Sequence, residues 1–85
     1  MTRIIIDVRE RQEFKSGHVR GAVNIPVKEI MRGSSKLHGV PKDAEIILYC
    51  KSGSRSSLAI DALRAQGFSS LVNGINKQQV ETRYL

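Results

Sequence analysis

Short apolar runs with almost no polar alternation are the clearest pattern in this chain. One run covers residues 4–8, and a second covers residues 46–49 and ends directly before the chain's cysteine. A run of this length without alternation is typical of a strand that is buried on both faces in a parallel sheet. Residues 70–73 form a third segment, and residues 22–25 form a brief extended piece before Pro26, which keeps its predecessor extended. The pattern therefore predicts four extended segments.

Helical patterns lie between these segments. They cover Arg11–Ser16, residues 27–31, a stretch that begins at Ser56 and stops at Gly67, and residues 76–84, which follow a turn predicted at Gly74. Strands that alternate with helices imply a parallel sheet with right-handed crossovers. The predicted fold class is therefore α/β, with a small central parallel sheet flanked by helices on both faces. Residues 1–85 are predicted to form a single domain.

The charge balance of the chain is basic. Lys and Arg number 14 and Asp and Glu number 8, which gives a net charge of +6. Such an excess would steer anionic substrates to a catalyst, although a generic solvated basic surface explains most of these charges equally well. Nucleic-acid binding is disfavoured, because the aromatic residues do not interleave with basic clusters and no zinc or RNA-binding signature is present.

Compartment and assembly are constrained by simple features of the sequence. No apolar run approaches the roughly 20 residues that a membrane span needs, so we expect no membrane association. The chain as given shows no signal peptide, and we expect a cytoplasmic protein, with a trimmed periplasmic form as the alternative. We expect a monomer, because no apolar stripe or heptad is visible. A single cysteine excludes an intramolecular disulfide and a cysteine-rich metal site, and we expect neither a metal nor a cofactor.

The single cysteine, Cys50, lies between the second apolar run and a helical pattern. The residues after it, Lys51-Ser52-Gly53-Ser54-Arg55, are small or basic. The cysteine is thus predicted at the carboxyl end of a buried strand and just before a helix N-terminus, where open α/β sheets place their ligands. Free backbone N–H groups and the helix dipole favour a thiolate and an anion at this position. We therefore predict that the pKa of Cys50 is depressed.

Each residue of this loop receives a predicted role. Cys50 is the candidate nucleophile, and the five residues after it are the predicted substrate-binding residues: Lys51, Ser52, Gly53, Ser54 and Arg55. Arg55 closes the loop at the helix start, where a cation is unfavourable unless an anion lies nearby. Gly53 is predicted to relieve a left-handed backbone position, and Ser56 is interpreted as a helix cap. The alternatives are an inert buried cysteine and solvated basic side chains.

Two sets of motifs in the right order resemble the rhodanese-like domain family. The cysteine loop CKSGSRS falls where the catalytic loop of that family falls, and it follows the segments Ile6-Asp7-Val8-Arg9, Glu13-Phe14, Gly17-His18, Gly21-Ala22 and Asn24-Ile25-Pro26. The resemblance covers nearly the whole chain and is greatest to short, single-domain bacterial sulfurtransferases. The sequence departs from the family after Gly74, where Ile75 and Asn76 stand in place of a second glycine and the frequent tryptophan.

The resemblance implies a thiosulfate sulfurtransferase. In such an enzyme the Cys50 thiolate takes a sulfane sulfur as a persulfide and passes it to a thiophilic acceptor. The implied donor is a small anion such as thiosulfate. The implied acceptor is cyanide in an assay and a thiol or a thioredoxin-like protein in the cell.

Two other functions remain open at this point. Protein tyrosine phosphatases and dual-specificity phosphatases resemble the Cys50–Arg55 loop but use a longer loop, and the tighter ring of N–H groups here suits a sulfur atom better than a phosphate. The short loop therefore disfavours a phosphatase or an arsenate-reductase relative. The third possibility is an interaction or carrier module that holds a persulfide for a partner without turnover.

A second candidate for a functional group lies near the same sheet edge and consists of Asp7, Arg9 and His18. We interpret all three as structural by analogy with the family. Asp7 and Arg9 are predicted to pair with each other or to brace neighbouring loops. His18 is predicted to hydrogen-bond the backbone at its turn rather than to act as a base.

Overall fold

A four-stranded parallel sheet organises residues 2–85, the part of the chain that the computed structural model describes. Its strands are β1 (Arg3–Asp7), β2 (Val23–Asn24), β3 (Glu45–Cys50) and β4 (Ser70–Asn76), in the spatial order β2-β1-β3-β4. The helices are α1 (Arg11–Ser16), α2 (Val27–Arg32), α3 (Ser54–Ala65) and α4 (Lys77–Tyr84), and a short 3-10 turn spans Ser35–Leu37. The predicted α/β class with a central parallel sheet is confirmed.

Strand β3 lies at the centre of the fold and is covered on both sides. Its side chains Ile46, Leu48 and Cys50 belong to the core that α2 and α3 cover, whereas Ile47 and Tyr49 belong to the core that α4 covers. Residues 46–50 are all buried. Because neither face of β3 meets water, its sequence shows no polar alternation, and the predicted helices on both faces of the sheet are confirmed.

Gly74 lies inside strand β4, and the turn predicted there is wrong. The register against β3 shifts between Leu48 and Tyr49, so Gly74 is the extra residue of a bulge. A Cβ atom at Gly74 would lie 2.5 Å from Val80 Cγ2 and 3.3 Å from the carbonyl oxygen of Leu48. The glycine is therefore needed for the close approach of α4 to the sheet, and not for a change of chain direction.

The closing helix forms although the second glycine and the tryptophan are absent. Helix α4 begins after Asn76, whose side chain accepts a hydrogen bond of 2.8 Å from the backbone N–H of Gln79. Val80 anchors the helix by packing, fully buried, with Ile47 and Tyr49. The predicted closing helix is therefore confirmed. Within residues 2–85, no helix combines the length and apolarity that crossing a membrane requires.

Candidate active site

The cysteine is the last residue of the central strand and its side chain is almost completely buried. Helix α3 begins only four residues later, because Gly53 adopts a left-handed conformation (φ 93°, ψ −11°) that turns the chain from the loop into the helix. The predicted position of Cys50, between a strand end and a helix N-terminus, is confirmed, and so is the left-handed backbone at Gly53.

Hydrogen-bond donors from two residues surround the sulfur of Cys50. The backbone N–H of Gly53 donates to Sγ at 3.0 Å, and the hydroxyl of Ser56 lies 3.6 Å from it. Burial by itself would raise the pKa of the thiol. Hydrogen bonding by the Ser56 hydroxyl and by the backbone N–H groups of Ser56, Ser52 and Gly53 lowers the pKa by a larger amount, and the result is about 7. The direction agrees with the sequence prediction, and the folded loop favours the thiolate relative to an ordinary cysteine.

Ser56 is fully buried and does not cap its helix, so that interpretation is wrong. Helix α3 starts two residues earlier, with Gly53 at the N-cap position. The Ser56 hydroxyl instead points into the site, where it lies 2.7 Å from Asn73 Oδ1 and 3.1 Å from the carbonyl oxygen of Gly53. One sequence signal could have shown this, because Ser56 shares a buried helix stripe with Ala59 and Leu63.

Asn73, on the neighbouring strand β4, is a second residue that sequence reasoning missed. Its Nδ2 donates to the carbonyl oxygen of Gly53 at 3.0 Å, and its Oδ1 accepts from the backbone N–H of Ile75 at 2.9 Å. Nothing in the local sequence distinguishes Asn73 from a residue at the end of an ordinary strand. Its position at the site follows from the pairing of β4 with β3.

Arg55 forms a two-pronged ion pair with Glu13 of helix α1. The distances from the guanidinium to the two carboxylate oxygens are 2.7 and 3.0 Å. Hydrogen bonding by Arg55, together with the backbone N–H of Glu10, lowers the pKa of Glu13 to about 2. A cation at a helix start is unfavourable unless an anion lies nearby, and here the Glu13 carboxylate is the anion beside Arg55. Binding of a substrate anion by Arg55 stays a prediction.

The remaining loop side chains face outward. Lys51, Ser52 and Ser54 are exposed, and the hydroxyl groups of the two serines lie 3.2 Å apart. The predicted backbone contribution of Gly53 is confirmed by its N–H, which donates to the sulfur, and the Ser52 N–H also lowers the pKa of Cys50. A backbone contribution from Ser54, predicted for the same loop, stays a prediction. A role for Lys51 in substrate binding stays a prediction.

The charged residues at the end of β1 and in the segment after it stabilise this edge of the sheet. Asp7 is fully buried, and Arg9 binds its two carboxylate oxygens while donating to the carbonyl oxygen of Gly17 at 2.7 Å. His18 is exposed, stacks on Phe14 with ring centres 3.7 Å apart, and its Nδ1 lies 2.9 Å from the Phe14 carbonyl oxygen. The predicted pairing of Asp7 with Arg9 and the predicted backbone hydrogen bond of His18 are confirmed, and the absence of a catalytic role for His18 stays a prediction.

A family comparison agrees with this arrangement of strand, loop and helix. The sequence model of the rhodanese-like domain matches residues 1–79. The chain belongs to the rhodanese-like family. Strand β4 shows how this rhodanese-like domain accommodates its departure from the family pattern. Ile75, in place of the second glycine, has φ 74°, a left-handed conformation that favours glycine and strains a β-branched residue.

Individual relatives of this rhodanese-like domain are similar at modest identity. The proposed sulfur carrier protein YrkF of Bacillus subtilis is 36% identical over 81% of this chain and 36% of its own length. A proposed mitochondrial thiosulfate sulfurtransferase of Schizosaccharomyces pombe is 38% identical over 82% of this chain and 56% of its own. The chain thus spans between about a third and just over half the length of these relatives.

A solved structure shares the fold over almost the whole chain. A rhodanese with anions from E. coli superposes with a TM-score of 0.81 and 29% identity, covering 92% of this chain and 91% of that one. Membership of the rhodanese-like family is therefore supported by sequence and by structure.

Proposed function

We propose that this rhodanese-like domain is a thiosulfate sulfurtransferase in which Cys50 holds the transferred sulfur as a persulfide. The observation that supports it best is the convergence of the Gly53 N–H and the Ser56 hydroxyl on one sulfur atom at a strand end. A backbone donor fixed in this way favours a negatively charged sulfur without reorganisation, and the Ser56 hydroxyl lies within reach of the same atom. The name of the S. pombe relative and the presence of anions in the E. coli rhodanese are consistent with this proposal.

The first half-reaction loads the cysteine. The Cys50 thiolate attacks the outer sulfur of thiosulfate, a new S–S bond forms, and the bond between the two thiosulfate sulfurs breaks. Sulfite leaves with the electron pair of that bond, and the terminal sulfur on Cys50 retains one negative charge. No general base is needed, because a thiol with a pKa of about 7 is already substantially ionised at neutral pH.

The second half-reaction removes the terminal sulfur from the Cys50 persulfide. An acceptor such as cyanide attacks the terminal sulfur of the persulfide, the S–S bond breaks, and thiocyanate leaves while the Cys50 thiolate is restored. In the cell we propose a thiol or a thioredoxin-like protein as the acceptor. The net charge of +6 and the exposed Lys51 favour the approach of the anionic donor.

A persulfide carrier is the second candidate, and the similarity to YrkF favours it. A carrier would complete the first half-reaction with a suitable donor and then hold the sulfur for one specific protein. The geometry around Cys50 serves both functions, because both need a stabilised persulfide. They differ only in multiple turnover with a small acceptor.

One assay with two variants tests the proposal. Thiocyanate formation from thiosulfate and cyanide is measured for the wild type, Cys50→Ala and Cys50→Ser, and the mass of each protein is recorded after thiosulfate treatment. We expect multiple turnovers and a gain of one sulfur atom in the wild type only. A stable persulfide without turnover would favour the carrier instead. An unmodified Cys50, or hydrolysis of an aryl phosphate in place of sulfur transfer, would overturn both.

A further inference from the structure

The bulge at the end of strand β4 lies directly behind the cysteine loop. Its residue Asn73 makes three hydrogen bonds: to the Gly53 carbonyl oxygen at 3.0 Å, to the Ser56 hydroxyl at 2.7 Å and to the backbone N–H of Ile75 at 2.9 Å. Gly53 and Ser56 are also the two residues whose donors lie closest to the sulfur. A single carboxamide therefore contacts both residues whose donors lie closest to the sulfur of Cys50.

The local backbone explains why this side chain reaches the loop. The hydrogen bond from the Ile75 N–H to Asn73 Oδ1 closes a tight side-chain turn across Gly74, and it accompanies the left-handed φ of 74° at Ile75. Strained conformations of this kind persist only where the surroundings hold them, and they concentrate at functional sites. Here the Ile75 side chain packs against Gly53, with Cγ2 3.5 Å from the position a Cβ atom would take there.

The hydroxyl of Ser56 has one proton and three neighbours that can accept it. They are Asn73 Oδ1 at 2.7 Å, the Gly53 carbonyl oxygen at 3.1 Å and the Cys50 sulfur at 3.6 Å. A thiolate or persulfide is the strongest acceptor of the three, because hydrogen bonds to an ionised group are the stronger ones. When the hydroxyl proton turns to the sulfur, the hydrogen bond to Asn73 Oδ1 is given up, and Oδ1 keeps the Ile75 N–H as its donor.

We propose that Asn73 is a positioning residue for the cysteine loop. Its Nδ2 donates to the Gly53 carbonyl oxygen and so fixes the loop conformation that directs the Gly53 N–H at Cys50. Its Oδ1 accepts from the Ser56 hydroxyl and keeps that side chain beside the sulfur while the thiol is neutral. The proposal deepens the proposed function and rests on it only in that the thiolate is the reacting group. The arrangement around the sulfur can be measured without any turnover.

The titration of Cys50 separates this role from a purely structural one. We would follow thiolate absorbance and the rate of alkylation by iodoacetamide against pH in the wild type, Asn73→Ala, Ser56→Ala and the double variant. We expect Asn73→Ala to reduce the thiolate fraction at neutral pH about fivefold, the change that a pKa rise of about one unit from about 7 produces. The double variant should shift less than the two single shifts combined, because Asn73 acts partly through Ser56.

Asn24→Ala is the matched control. The Nδ2 of Asn24 also donates to backbone carbonyl oxygens at this edge of the sheet, those of Asp7 at 3.0 Å and Arg9 at 2.9 Å, but it does not belong to the cysteine loop. We expect Asn24→Ala to lower the melting temperature and to leave the titration of Cys50 unchanged. If Asn73→Ala unfolds, Asn73→Ser keeps a short oxygen for the Ile75 N–H and loses the reach to Gly53 and Ser56.

The outcomes are distinct for the two proposals. An unchanged titration in Asn73→Ala, or a lower pKa showing that Asn73 withdraws the hydroxyl proton from the sulfur, would overturn the positioning role and leave sulfur transfer untouched. Additive shifts in the double variant would overturn the coupling through Ser56. Conversely, if the wild type forms no persulfide while Asn73→Ala still shifts the titration, the proposed function fails and the positioning role stands.

Discussion

At the scale of single residues, the ionisation of Cys50 depends on donors that only the folded loop brings together. Gly53 supplies its N–H because it can adopt a left-handed backbone, and Ser56 supplies its hydroxyl because it lies on the buried side of the first turn of α3. Burial alone would suppress the thiolate. The hydrogen bonds outweigh that effect and give a pKa of about 7.

The reactivity of Cys50 should therefore follow pH around neutrality. The thiolate is the nucleophile, so the alkylation rate should fall about tenfold for each pH unit below 7 and approach a plateau roughly one unit above it. Iodoacetamide labelling measured by mass spectrometry gives this profile, with Cys50→Ser as the unlabelled control. A midpoint near 9, the ordinary value for a thiol, would contradict the hydrogen bonding described for the loop.

Arg55 gives a second prediction at this scale. Its guanidinium is bound by Glu13, so a thiosulfate anion must compete with that carboxylate. Glu13→Gln should weaken the pair and lower the KM for thiosulfate several-fold in the proposed reaction. The pair is about one-third exposed, so its loss should cost only about 0.5–1 kcal/mol of stability.

Glu45→Gln is the matched control for this change. It removes the carboxylate of another Arg–Glu pair, with Arg3, at the opposite edge of the sheet. Steady-state kinetics should show an unchanged KM for Glu45→Gln. A KM that rises in Glu13→Gln would mean that Glu13 holds Arg55 in its productive position.

At the scale of elements, the contact between β4 and α4 depends on the absence of a side chain at Gly74. A methyl group there would lie 2.5 Å from Val80 Cγ2 and 3.1 Å from Ile47 Cγ2. Gly74→Ala should therefore overpack the α4 side of the sheet and lower the free energy of unfolding by about 1–3 kcal/mol. Urea denaturation followed by circular dichroism measures this loss.

A second-site variant tests the cause of that loss. Val80→Ala removes the methyl groups that the added Cβ would meet, so the double variant Gly74→Ala/Val80→Ala should lose less stability than the two single changes combined. Strictly additive losses would mean that the backbone of the bulge, and not the contact with Val80, requires glycine at this position.

At the scale of the whole molecule, the site exists because parallel strands end at the same edge of the sheet. Cys50 closes β3 in register with Asn76 of β4, and the bulge before it brings Asn73 to the loop. On the other side of β3, Asp7 ends β1 and holds Arg9. The two cores above and below the sheet fix these strand ends, so the loop between β3 and α3 rests on rigid elements.

The sequence by itself determined the strands, the helices and the position of the cysteine between a strand end and a helix start. Apolar runs without alternation specify strands buried on both faces, and the glycine before a helical pattern specifies the turn that holds Cys50. These are local properties, because each depends on residues a few positions apart. Arg11–Ser16 was predicted with its observed bounds for the same reason, since a capping box between Glu10 and Glu13 defines its start.

Only the tertiary structure decided which side chains complete the site. Ser56 meets Asn73 across 17 residues, and Arg55 meets Glu13 across 42. Such partners depend on strand register and helix packing, which no local pattern encodes. Gly74 shows the same limit, because glycine favours a turn locally whereas here the approach of Val80 demands it. Local periodicity thus specifies the elements and the loop, and long-range packing selects the groups that act on the sulfur.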